Sequence, residues 1–163
     1  MSPAEGRLSA LRKAVEMVGG EVFSLALYSL GSREEAMAVA QDAFLRAYLE
    51  GELERDEEGL RVALLSEVVG LIRRAKGGRE PDLVELRRQG KEVVPELEAV
   101  LRGLLKLPVE ERLVLLLCEW MGFSVEEAGW MMGEGKKAGR LLKRARERFA
   151  RAYATQLGRL SRG

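Results

Sequence analysis

The chain has 163 residues, 47% hydrophobic and 33% charged, with a formal net charge of +1. It holds no histidine and one cysteine, Cys118. This excludes His-based general-base catalysis, Ser-His-Asp and Cys-His pairs, an internal disulfide and nearly all zinc sites. A single threonine (Thr155) and a single isoleucine (Ile72) leave few β-branched residues besides valine, which argues against a β-rich fold.

Taken in chain order, the elements are helical. Leu8, Leu11, Val15 and Val18 recur at helical spacing. The pair Gly19-Gly20 predicts a kink or break, after which Val22, Phe23, Ala26, Leu27 and Leu30 continue the period to a stop at Gly31. Ser32-Arg33-Glu34-Glu35 reads as a capping box opening a second helix, with Ala36, Val39, Ala40, Ala43, Phe44, Ala47 and Tyr48 on its apolar face. Residues 51–59 are acidic and loop-like. Leu60 to Ile72 is an apolar helix, ending in a basic and glycine stretch from Arg73 to Gly78.

Residues 77–92, with three glycines, a proline and many charges, read as a linker. Helices follow over Glu96 to Leu105 and from Leu107-Pro108 to about Met121, the latter ended by Gly122. Ser124-Val125-Glu126-Glu127 is a second capping box, opening a short helix to Met132. Gly133-Glu134-Gly135 is a tight turn, and a last helix runs from Lys136 to about Leu157. The expected fold is all-α: a helical domain over 1–76, a polar linker over 77–92 and a second helical domain over 93–163.

The charge is unevenly placed. From Lys136 onward there are ten basic residues and one acidic residue, Glu147, a net +9; before it stand 17 basic and 25 acidic residues, a net −8. On the last helix Ala138, Leu141, Leu142, Ala145 and Phe149 form an apolar stripe, opposite Lys137, Arg140, Arg144, Arg148 and Arg151. A basic amphipathic helix after a short capped helix suits insertion into a DNA major groove, where its first residues reach base edges and the rest hold phosphates. The plain alternative is a helical hairpin with a solvated basic face. Phe44 and Tyr48 read as core, and Trp120, Trp130, Met131 and Met132 as core or inter-helix contacts. Cys118, in an apolar run, reads as an inert core thiol. Acidic pairs such as Glu34/Glu35, Glu57/Glu58 and Glu126/Glu127 fall at helix starts, where carboxylates are favoured by the helix dipole. Gly133-x-Gly135-Lys136 lacks the spacing of a phosphate loop.

Two stretches carry a family resemblance. The segments Leu107 to Leu117, Gly122 to Ala128 and Leu142-Lys143-Arg144-Ala145-Arg146 resemble region 4 of extracytoplasmic-function sigma factors. Leu25 to Ala36, followed by Gln41-Asp42-Ala43-Phe44-Leu45-Arg46-Ala47-Tyr48, is similar to region 2. The resemblance implies a non-enzymatic transcription protein without cofactor or metal. Its partners would be the bacterial RNA polymerase core and promoter DNA, with an anti-sigma factor as a further partner. By position, Gln41, Asp42, Leu45 and Arg46 would dock on polymerase, and Lys136, Lys137, Arg140, Lys143, Arg144 and Arg148 would contact DNA.

The chain departs from the family at working surfaces. Ala38 stands where the family carries an acidic residue, and no Phe, Tyr or Trp occurs between Tyr48 and Trp120. The promoter-melting segment, Leu60 to Ile72, thus has no aromatic to stack on a splayed base, and Glu67 would repel phosphate. The turn before the last helix is about one residue short, Gly139 falls within that helix, and Gly129 replaces a small alanine and is followed by Trp130. A second reading follows: a sigma-like protein that binds polymerase, a sigma factor or an anti-sigma factor without opening promoters. The N-terminus lacks the apolar region of a signal peptide and no apolar run is long enough to span a bilayer, so a cytoplasmic protein without a membrane partner is expected.

Overall fold

A computed structural model describes residues 2–75, 77 and 80–162 of the chain. The fold is all-α, with eight α-helices and no strand among the described residues. The first three build the N-terminal half: α1 (Pro3–Leu30), α2 (Arg33–Leu49) and α3 (Glu57–Arg74). Helix α1 starts from a capping box in which Ser2 and Glu5 exchange bonds. It runs unbroken through Gly19 and Gly20, so the glycine pair does not break the helix there. Two glycines cost about 1 kcal/mol each, and the burial of Val18, Val22, Leu25 and Ala26 on either side outweighs that.

Gly31 ends α1 in the left-handed region, at φ 69°, and its N–H donates to the Leu27 carbonyl at 2.8 Å. A Cβ there would sit 2.6 Å from the Glu80 carbonyl oxygen, so the position requires glycine on two counts. Ser32 caps α2 by accepting from the Glu35 N–H at 3.4 Å. Its hydroxyl also donates to Glu34, and the Ser32 N–H does not donate to the Glu35 carboxylate, so the expected box is only half formed. Asp56 caps α3 by accepting from the Gly59 N–H at 2.8 Å. These three helices bury Leu25, Leu30, Ala36, Ala43, Leu64, Leu65, Val68 and Ile72 against one another.

Within the stretch read as a linker, α4 (Leu83–Arg88) is a short helix with Leu86 fully buried. Asp82 ties it back: one carboxylate oxygen accepts from the Glu85 N–H and the other from the Arg33 N–H at the start of α2, each at 3.0 Å. Residues 76, 78 and 79, which carry part of the expected basic helix end and linker, lie outside the described residues.

The C-terminal half comprises α5 (Pro95–Leu105), α6 (Val109–Leu115), α7 (Val125–Met132) and α8 (Ala138–Arg162). The helix expected to reach Met121 is α-helical only to Leu115, after which Leu116–Trp120 form a π-helical turn. The Met121 N–H bonds the Leu116 carbonyl at 3.0 Å, five residues back, and Gly122 turns the chain at φ 80°. The wider turn carries Trp120 to Tyr28 of α1, edge to face with centroids 5.0 Å apart.

Helix α3 packs on α6 and α7, and α1 on α5 and α6, so that one continuous hydrophobic cluster runs through both halves. Three arginines clamp the junction. Arg112 donates to the Leu104 and Leu107 carbonyls at 2.8 and 2.9 Å and to the Ser29 carbonyl at the end of α1. Burial pushes its guanidinium below the usual arginine range. Arg73 donates to the Met132 carbonyl at the end of α7 and pairs with Glu134 at 2.9 Å. Arg61 pairs with Glu21 at 2.8 Å and reaches the Met121 carbonyl at 3.5 Å.

Candidate nucleic-acid and protein interfaces

The helix-turn-helix begins at Ser124. Its hydroxyl accepts from the Glu127 N–H at 3.1 Å, and the Glu127 carboxylate accepts from the Ser124 N–H at 2.9 Å, completing the expected box. These bonds hold the Glu127 carboxyl below the usual carboxylate range. Helix α7 ends at Gly133, φ 69°, and a 3-10 turn over Gly135–Lys137 leads into α8. Lys136 and Lys137 therefore lie in that turn, and α8 proper starts at Ala138. Gly129 explains how α7 approaches so closely. A Cβ there would lie 2.7 Å from the Gly135 carbonyl oxygen and 3.1 Å from the Ala138 Cβ.

Along α8, Ala138, Leu142 and Ala145 are buried, while Leu141 and Phe149 are half-buried. The expected apolar stripe faces α5, α6 and α7. Lys136, Lys137, Arg140, Lys143, Arg144 and Arg148 are all exposed. Among the described residues, the first five have no carboxylate within ion-pair distance. Arg148 differs: its Nε lies 3.1 Å from Glu111 of α6, whose side chain is only 6% exposed. A carboxylate that buried needs a cation, and Arg148 supplies it. Arg146 likewise pairs with Glu119. Five of the six candidate cations are thus free and lie at the turn and the first two turns of α8, while Arg151, Arg159 and Arg162, further along the helix, are likewise exposed and without a carboxylate partner among the described residues.

The second candidate surface lies on α2. Gln41 and Leu45 are exposed and border a groove of about 570 Å³ between α1 and α2, floored by Val15, Phe23, Met37 and Phe44. Asp42 and Arg46 pair with each other at 3.1 Å, one helical turn apart. The structure thus brings Gln41 and Leu45 to the groove and leaves Asp42 and Arg46 beside it. Phe44 is buried and Tyr48 half-buried, in keeping with a packing role.

The outer face of α3 presents Glu58, Val62, Ser66 and Glu67. Burial, with the like charge of Glu50 behind it, pushes the Glu67 carboxyl up. Trp130 stands across from this face and is 69% exposed, which corrects its reading as a core or inter-helix contact. Met131 and Met132 are buried as expected, and Trp120 is 46% exposed despite its contact with Tyr28. Cys118 is half-buried rather than in the core, and burial pushes its thiol up, away from a reactive thiolate. Among the described residues no cluster of His, Cys, Asp or Glu is disposed to hold a metal ion, and no helix is long and apolar enough to cross a membrane.

No protein-family model and no curated protein sequence matches the chain. Its fold is similar to that of the sigma factor RpoE from Bartonella quintana, solved in complex with the anti-sigma factor NepR. The TM-score is 0.65, over 86% of this chain and 94% of that one, at 16% sequence identity. That likeness establishes a sigma-factor-like fold.

Proposed function

We propose that the chain is a sigma-factor-like transcription protein that binds promoter DNA through Lys136, Lys137, Arg140, Lys143 and Arg144 and the RNA polymerase core through its N-terminal half. The observation that carries the reading is the concentration of five exposed cations, without carboxylate partners among the described residues, at the start of α8. Cations already neutralised by carboxylates release fewer counterions on binding phosphate, so the free ones set the affinity. The action is positional, with no bond made or broken and no cofactor. On the protein side, the apolar groove bordered by Gln41 and Leu45 is the surface for polymerase, and for an anti-sigma factor that competes with it.

A second reading has its own support. The outer face of α3 lacks aromatic residues and carries Glu58 and Glu67, while its other side packs on α7. A helix so placed is poorly suited to capture unpaired bases, which favours a sigma-like regulator that binds polymerase, a sigma factor or an anti-sigma factor without opening promoters.

Reconstitution with core polymerase and a library of promoter fragments separates the two. Initiated transcripts support the first reading, and polymerase binding without initiation supports the second. For DNA binding alone, five phosphate contacts predict that log K falls against log salt with a slope of about −4 to −5. A flat response would remove the DNA-binding assignment.

A further inference from the structure

Trp130 is out of place for a residue of its size. A large aromatic side chain left mostly in water forgoes its hydrophobic stabilisation, yet nothing in the packing of α7 requires it. The neighbouring Ala128, Gly129, Met131 and Met132 make the buried contacts. Trp130 instead forms one wall of two adjoining clefts at the seam between α3 and α7, of about 410 and 280 Å³, which share Val62 and Trp130. Their walls come from both halves of the chain, so the site exists only when the halves are docked.

The floor is apolar, built from Val62, Ala63, Met131 and the Trp130 ring. The rim is acidic. Glu50, Glu52, Glu58 and Glu67 approach from the N-terminal half and Glu126 and Glu127 from the start of α7, with Arg55 the one cation in the lining. From outside it, Arg61 pairs with Glu58 at 3.7 Å and Arg46 and Arg74 lie near Glu67, so six carboxylates still outnumber the cations around them. Arg55 is already paired with Glu52. Glu67 is partly desolvated beside Glu50, and its carboxyl stays raised even with Arg46 and Arg74 nearby, so a further cation placed there would relieve that repulsion. Phosphate is disfavoured by every one of these carboxylates, which argues against a nucleic acid. An exposed indole face ringed by carboxylates is the complement of a guanidinium or ammonium group, which stacks on the ring while donating to the acids.

We infer that the α3/α7 seam is a docking site for a Lys/Arg-rich peptide segment of a partner protein, with a cationic side chain stacked on Trp130 and its neighbours paired to Glu58, Glu67 and Glu126. The site is separate from the basic start of α8 and from the α1/α2 groove. The inference goes beyond the transcription reading and stands on charge complementarity and on the exposure of Trp130.

The test uses the full-length chain carrying Trp120→Phe, which leaves Trp130 as the sole tryptophan. The probe is an Arg/Ala helical peptide of about twelve residues, long enough to span three turns, with a Glu/Ala peptide and an oligothymidine of similar length as comparators. The Arg/Ala peptide alone should change Trp130 emission saturably, with affinity falling at least about tenfold between about 50 and 300 mM salt. With a labelled peptide read by anisotropy, Trp130→Ala and the pair Glu58→Gln/Glu126→Gln should each weaken binding about tenfold, with circular dichroism unchanged. No saturable response overturns the proposal, as do undiminished affinity in both variants, a Trp130 response to oligothymidine, or Trp130 buried by self-association without peptide.

Discussion

Arg61 of α3 lies over the ring of Phe123, its guanidinium carbon 4.5 Å from the ring centroid, while the same group grips Glu21 of α1 at 2.8 and 3.0 Å. One side chain thus joins two helices of the N-terminal half to the start of the helix-turn-helix. Arg61→Met keeps the stem and removes the fork. It should cost about 1–3 kcal/mol in chemical denaturation, discounted for the partial exposure of Glu21. In a double-mutant cycle with Phe123→Leu, a coupling of about 0.5–2 kcal/mol is expected. Additive effects would mean that the stacking contributes nothing.

The two roles assigned to basic residues of α8 are separable. Arg144→Ala should leave stability nearly unchanged and reduce the salt slope of DNA binding by about one. Arg148→Ala should leave the slope nearly unchanged but destabilise the fold by about 1–3 kcal/mol, because Glu111 is then buried without its cation. Adding Glu111→Gln should restore part of that loss. Parallel denaturation and salt titration of the three variants make the check, and equal effects of Arg144 and Arg148 on the slope would contradict the division.

Gly129 is a packing requirement. Gly129→Ala places a methyl group 2.7 Å from the Gly135 carbonyl oxygen, against backbone that cannot swing aside. The cost should be about 1–3 kcal/mol, in spite of the better helix propensity of alanine. A neutral or stabilising result in thermal denaturation would show that α7 and the turn before α8 can separate freely.

Glu67 sets a pH dependence. Its carboxyl is raised in the folded state, first by burial and then by Glu50, so the folded chain holds that proton more tightly than the unfolded one. Stability from this group is full at low pH and lost as pH rises from the ordinary glutamate range through the folded value. Glu67→Gln should therefore be more stable than the parent at neutral pH, the difference vanishing below about pH 4. Denaturation at both pH values decides it, and a variant less stable at neutral pH would reverse the sign.

The local structure was largely legible from the residues. The Ser124/Glu127 box, the stop at Gly31 and the apolar stripe of α8 all follow from spacing and from groups that satisfy a helix end. The junction was not. Arg61, Arg73 and Arg112 look in sequence like any solvated cation, and the partners through which they join the two halves stand far away along the chain. Trp130 was legible by angle, since Ala128, Met131 and Met132 define the inner face of α7 and a residue two positions after Ala128 points the other way. Its hydrophobicity led to the opposite reading. Gly129 has no side chain to report its burial, and the π-helical turn after Leu115 leaves no mark in a pattern of leucines. The five free cations of the DNA candidate set were distinguished from Arg148 only by the position of Glu111, which comes from another helix.

The clamp at the junction also orders the folding of the chain. The bond from Arg112 to Ser29 spans 83 positions, and those from Arg61 to Met121 and from Arg73 to Met132 span 60 and 59. Such contacts return nothing until a long loop has closed, whereas the helices and their hairpins draw on neighbours a few residues away. The expected order is that the two halves assemble first and meet last. In the reverse direction the seam is where native-state opening begins, ahead of any helix, so amides covered only by the meeting of α3 with α7 should exchange before those inside either half.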